Sequence, residues 1–118
     1  METLQNGHIQ VEDALEAIKL SLRLKKFLAA FGLKQQQFCV LLMLRTAPDG
    51  INSGVNPKQI AKVLDVLPAG VTRIMKPLES AQLIQRQIGK NDRREMPAYL
   101  TDKGSALLKK IQEQISQF

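Results

Sequence analysis

Two short helical segments, each opened by a proline and held three residues apart, constrain this chain more than any other feature of it. Asn56-Pro57-Lys58-Gln59 starts the first. Asn56 can cap, Pro57 suits the first helical position because its missing N–H has no helical partner there, and Gln59 sits where a capping box needs it. Ile60, Val63 and Leu64 form the expected buried face. Asp65-Val66-Leu67 is the turn, and Pro68 opens a second helix that runs to about Ala81. In that helix Val71, Ile74, Met75 and Leu78 face inward, while Ala69, Thr72, Arg73 and Lys76 face outward. The pattern is that of a helix-turn-helix whose second helix carries a polar, basic face. An ordinary helical hairpin with a solvated face shares it. Pro77, deep in the second helix, removes one hydrogen bond and crowds the Arg73 carbonyl, so the helix is expected to bend or become irregular near 73–77.

The next segment separates the two readings. Leu83 to Ile88 alternates apolar and polar, with Ile84 and Ile88 on one side and Arg86 between them. Met96 to Leu100 alternates again, and Pro97 should put that strand at a sheet edge. Between them Gly89-Lys90-Asn91-Asp92-Arg93-Arg94 is a polar, basic hairpin tip with turn residues. A hairpin directly after a helix-turn-helix is a wing.

Helices flank this core. Val11 to Phe31 carries two apolar stripes, one of Val11, Leu15, Ile18 and Leu22, the other of Leu20, Leu24, Phe27 and Phe31. Its acids come early and its bases late, matching the helix dipole, and Gly32 stops it. Gln35 to Ala47 is a further helix, ended by Pro48-Asp49-Gly50, and Ile51 to Val55 is a linker or short strand. Thr101 caps a last helix whose stripe of Leu107, Leu108, Ile111, Ile115 and Phe118 runs to the chain end. The expected fold is mainly α with a small β-hairpin wing. It is a single winged-helix domain over 1–118, with a tail at 1–10, a winged helix-turn-helix core at 33–100 and dimerisation helices at 11–31 and 102–118.

The chemistry available to the chain is narrow. His8 is the only histidine and Cys39 the only cysteine, so neither a nucleophile–base pair nor a metal cluster can be assembled, and no cofactor or enzymatic activity is expected. Cys39 lies in an apolar run and reads as a buried structural thiol. The longest apolar run, Phe38 to Leu44, is too short to span a bilayer, and the N-terminus lacks a signal-peptide pattern, so the expected location is the cytoplasm. The net charge of +6 over 118 residues favours a polyanionic partner.

Gln59-Ile60-Ala61, Val71-Thr72-Arg73-Ile74 with Leu78-Glu79, Leu83-Ile84, Asp92-Arg93-Arg94 and Leu100-Thr101-Asp102-Lys103-Gly104 together resemble the MarR family of bacterial transcriptional regulators. The resemblance covers residues from about 33 to 110 in family order. It implies a homodimer on palindromic duplex DNA, commonly a repressor, with the recognition helix in the major groove and a wing arginine at the minor groove. By the match, Asp92 holds a neighbouring arginine and leaves Arg93 or Arg94 to contact DNA. The expected DNA-facing set is Asn56, Lys58, Gln59, Ala69, Gly70, Thr72, Arg73, Lys76, Arg86, Lys90, Asn91, Arg93 and Arg94. The expected dimer interface is Leu15, Ile18, Leu22, Leu108, Ile111, Ile115 and Phe118, because two stripes on the first helix and one on the last exceed what a small core can cover.

Three departures stand beside the resemblance. Leu67-Pro68-Ala69-Gly70 is apolar where the family usually places polar residues, so sequence readout is expected to be modest. Pro77 sits well inside the recognition helix, where it should remove a hydrogen bond and bend it. The chain ends at Phe118, short of the helix that usually borders a small-molecule effector pocket, which weighs against such an effector. The other readings of the same residues are a protein–protein assembly module and a plasmid or phage DNA-binding accessory protein.

Overall fold

The computed structural model describes residues 10–45, 54–87 and 96–117. Its elements are α1 (Val11–Ala29), α2 (Gln35–Arg45), α3 (Pro57–Leu64), α4 (Pro68–Ser80), β1 (Ile84–Arg86), β2 (Ala98–Leu100) and α5 (Asp102–Ile115). They fall into two compact units, Met1–Gln35 and Gln36–Phe118.

Three of the helices stop in the same way. After α1 the Leu33 N–H reaches back to the Leu28 carbonyl and Gly32 N–H to Ala29. After α3, Val66 bonds Ala61 and Asp65 bonds Lys62; after α4, Leu83 bonds Leu78 and Gln82 bonds Glu79. Each pair satisfies carbonyls that a helix end leaves open, and each needs one left-handed residue. Gly32, Asp65 and Gln82 supply it, at φ 69, 53 and 62. Glycine takes this conformation freely, whereas Asp65 and Gln82 adopt it at a steric cost that the flanking hydrogen bonds offset.

In the first unit, α1 buries Phe27 and Leu28 near its C-terminus, and Leu33 beyond it. Phe27 and Phe31 stack with ring centroids 5.3 Å apart. Gln35 Nε2 donates to the Ser21 carbonyl at 2.8 Å and folds the connection back along the helix. The expected N-terminal stripe is bare: Val11, Leu15, Ile18 and Leu22 are all exposed, and so is Leu20 of the other stripe.

The second unit holds the winged core. Phe38, Val40, Leu41 and Leu44 of α2 are buried with Ile60 of α3, Val71, Met75 and Leu78 of α4, and Leu108 and Ile111 of α5. β1 and β2 pair antiparallel with Ile84 opposite Leu100 and Arg86 opposite Ala98. Val55 pairs with Ala98 from the other side, through two bonds of 2.9 Å. The strand after Pro97 is therefore not an edge at Ala98, contrary to expectation. Pro97 stands just before the strand, where its missing N–H interrupts no ladder bond and its carbonyl still accepts from Gln87.

The hairpin base is locked to α5 through Thr101. Its Oγ1 donates to the Gln82 carbonyl at 2.6 Å and accepts from Gly104 N at 3.0 Å, while its own N–H donates to the Leu83 carbonyl. Gly104 is buried, and a Cβ there would collide with the Leu83 carbonyl oxygen and with Leu100 Cδ1. The Thr101 and Gly104 positions are thus one device: a hydroxyl that joins two chain ends, and a bare backbone that lets them meet.

Several expectations are corrected. Val63 is 60% exposed, not part of the buried face of α3, which rests on Ile60 alone. Cys39 is a half-buried free thiol, not a sealed one. Arg86 shares the sheet face of Ile84, since strand side chains repeat every two residues. Leu108 and Ile111 are not interface residues: they are 2% and 1% exposed, because α5 lays this stripe into the core of its own unit. Ile115, one turn further on, is 38% exposed, and Phe118 lies outside the described residues. The tail residues 1–9 and the Pro48-Asp49-Gly50 stop also lie outside them.

Two stability outcomes follow from the packing. Gly104→Ala should cost about 3 kcal/mol, the upper end for overpacking, because a backbone carbonyl cannot rotate away; Thr101→Ala should cost about 1–2 kcal/mol, as for a lost cap. Urea unfolding measures both, and an unchanged midpoint for Gly104→Ala would contradict the packing. Ile111→Glu should lose more than about 3 kcal/mol in thermal melts by burying an unpaired carboxylate.

Candidate nucleic-acid interface

α3 and α4 are set against each other by the short turn at Asp65, so their outward faces adjoin. On α3 the Asn56 Oδ1 accepts from Lys58 N at 2.9 Å, and Gln59 Oε1 accepts from Asn56 N at 3.3 Å. This is the expected capping box, and it engages the side-chain oxygens of both residues. Lys58 and Gln59 are exposed. Lys62 is exposed too, one turn beyond Lys58 and on the same side. The sequence reading omitted Lys62, although its i+4 spacing from Lys58 was the signal that marks it.

On α4, Val71, Met75 and Leu78 anchor the helix in the core, leaving Pro68, Ala69, Thr72, Arg73, Lys76, Pro77, Glu79 and Ser80 exposed. Thr72 Oγ1 lies 3.5 Å from the Pro68 carbonyl, a weak contact that leaves its hydroxyl outward. Among the described residues neither Arg73 nor Lys76 forms a salt bridge. Gly70 is half-buried, and a Cβ there would lie 3.2 Å from Val66 Cβ. It is the close-approach point of turn and helix more than a part of the open face. The backbone stays helical through Pro77, and α4 is continuous over Pro68–Ser80. The physical reason is placement. Pro77 is exposed, and the Arg73 carbonyl that loses its helical partner opens to water on the same side.

Leu67 is the N-cap of α4, and its side chain makes no capping hydrogen bond. A serine, asparagine or aspartate there would stabilise the helix by about 1 kcal/mol. Leu67 is nevertheless 78% exposed. Sequence reasoning treated it as a turn residue and missed its exposure.

Arg86 sits at the hairpin base, half-buried, with Nε donating to the Met96 carbonyl at 3.0 Å. It braces the two strands where they leave the sheet. The tip it points toward in sequence, with Lys90, Asn91, Asp92, Arg93 and Arg94, lies outside the described residues. Among the described residues no group of His, Cys, Asp or Glu side chains is arranged to hold a metal ion, and no helix is long and apolar enough to cross a membrane.

A cavity of about 280 Å³ opens beside this unit, lined by Phe38, Leu42, Arg45, Leu108, Ile111, Gln112 and Ile115. Arg45 Nη1 donates to Gln112 Oε1 at 3.3 Å on its rim.

Comparison with known proteins places this architecture. Residues 33–96 match the model of the MarR family. An HTH-type transcriptional repressor of Mycobacterium tuberculosis is 29% identical over 85 residues, covering 72% of this chain and 58% of the relative. The chain thus spans somewhat over half the length of the curated relatives it matches. The wild-type apo MarR of E. coli superimposes with a TM-score of 0.77 at 23% identity, covering 92% of this chain and 78% of that one. A MarR variant of E. coli complexed with operator DNA gives a TM-score of 0.75 at 26% identity, with coverage of 88% and 71%.

Proposed function

The chain belongs to the MarR family, and from that premise we propose that it is a transcriptional regulator that binds double-stranded DNA as a homodimer. The observation that carries this reading is the exposed face of α4, where Thr72, Arg73 and Lys76 stand outward from a helix anchored by Val71, Met75 and Leu78. Lys58 and Lys62 extend the charge onto α3. Such a face suits a major groove: lysines neutralise phosphates, and an arginine in a recognition helix can bond both acceptors of a guanine edge. A relative in complex with operator DNA supports the same use of the fold.

In this reading the protein works in the cytoplasm and acts as a repressor, as the names of its relatives suggest. α4 enters the major groove, and the basic tip with Lys90, Arg93 and Arg94 reaches the minor groove, Asp92 orienting one of the arginines. The second copy covers Leu15, Ile18 and Leu22 of α1 together with Ile115 of α5, an apolar set that water would otherwise face. Two-fold pairing then presents two α4 helices to successive major grooves, so the site is an inverted repeat with half-sites about one helical turn apart. The cavity under α2 and α5 is the seat that favours a small-molecule effector; its volume of about 280 Å³ restricts it to a small one.

Arg73→Ala and Lys76→Ala should each weaken binding to random duplex DNA and lower the salt slope of log K by about one, with the melting temperature unchanged. A binding titration at several salt concentrations reads this, and salt-independent or absent binding of the parent would favour an assembly module instead. Leu22→Glu should turn the dimer into a folded monomer in sedimentation at micromolar concentration and lower operator affinity without altering any DNA-facing residue. A parent that sediments as a monomer both free and on DNA would remove the dimer and the inverted repeat together.

A further inference from the structure

Leu67, Pro68 and Ala69 form an unbroken apolar tip at the N-terminal end of α4, and all three are exposed. Pro68 opens the helix, but core packing accounts for none of the three side chains. The core draws on Val71, Met75 and Leu78 from the same helix and on none of these three. Leu67 even occupies the cap position without capping, where a small polar side chain would serve the helix better. The tip continues directly into the polar and basic face of Thr72, Arg73 and Lys76. Whatever covers this end of α4 therefore combines strong negative charge with an apolar feature.

We infer that this apolar tip reads the 5-methyl groups of thymines in the major groove. The inference rests on the DNA-binding reading above and adds what the helix end selects. Along a major groove the bases offer hydrogen-bond donors, acceptors and one apolar group, the thymine methyl. Leu67, Pro68 and Ala69 have no side-chain donor or acceptor, so the methyl is the one feature they can recognise. They also discriminate by exclusion. A cytosine amino group or a guanine carbonyl dehydrated against them would lose its hydrogen bonds with water and gain none. Arg73, one turn along the helix, has the opposite preference and suits a guanine edge. Each half-site should therefore carry A·T pairs under the start of α4, followed by a G·C pair under Arg73.

The test selects duplexes from a random library with the full chain, then resynthesises the strongest with deoxyuridine in place of each thymine in turn. Deoxyuridine keeps the pairing edge and removes only the methyl. Affinity should fall about fourfold for each contacted methyl, the factor for one buried methyl-sized group. Restoring thymine should restore it. Leu67→Ser, a change at an exposed site that leaves Arg73 and Lys76 in place, should bring the thymine-to-uridine affinity ratio toward one and leave the melting temperature no lower than the parent's. If every uridine substitution is silent while Arg73→Ala still weakens binding, the thymine inference is overturned and the DNA-binding reading stands. The inference is also overturned if Leu67→Ser lowers affinity for thymine and uridine duplexes equally. Failure to bind any duplex at low salt overturns both.

Discussion

The Thr101 hydroxyl joins more of this structure than any other single group. It takes a hydrogen from Gly104 N and gives its own to the Gln82 carbonyl, so one side chain starts α5 and holds the residue that ends α4. Around it the chain passes from α4 to the hairpin and from the hairpin to α5. Gly104 makes the junction tight, because only a residue without a side chain admits the Leu83 carbonyl.

The other constraint is the turn between α3 and α4. Asp65 in the left-handed region folds two carbonyls of α3 back into hydrogen bonds, and Pro68 then begins α4. Gly70 allows α4 to approach Val66 closely. With Ile60 on one helix and Val71 and Met75 on the other buried, rotation of either helix about its axis would expose core. The outward position of Arg73 and Lys76 is a consequence of where those apolar residues must go. Pro77 is compatible with the same arrangement because it lies on the outward side, where water can satisfy the carbonyl it deprives.

The sequence by itself determined the order of elements and the face of α4. Prolines at 57 and 68 mark two helix starts whatever the packing, because the ring sets φ and removes a donor that is idle there. The Asn56–Gln59 box and the Thr101 cap are local interactions, complete within four residues, and so they could be read from the chain. Helical periodicity marks Val71, Ile74, Met75 and Leu78 as inward, and all but the half-buried Ile74 are sealed in the core.

Only the tertiary structure decided which apolar stripes were used up. Leu108 and Ile111 look in sequence like Leu15 and Leu22, yet the former are sealed in the core and the latter exposed, because periodicity gives a face but not what lies opposite it. The same limit explains Val63, whose neighbours in space never close over it. It explains Gln82, a poor left-handed residue by local preference that is held at φ 62 by the bonds of Leu83 and Thr101. It explains Ala98, whose second partner, Val55, comes from across a segment that local pattern could describe only as linker. Leu67 is the last of these. Its type predicts burial, and it stands bare because the turn that sets α4 in place leaves the start of the helix uncovered by the described residues.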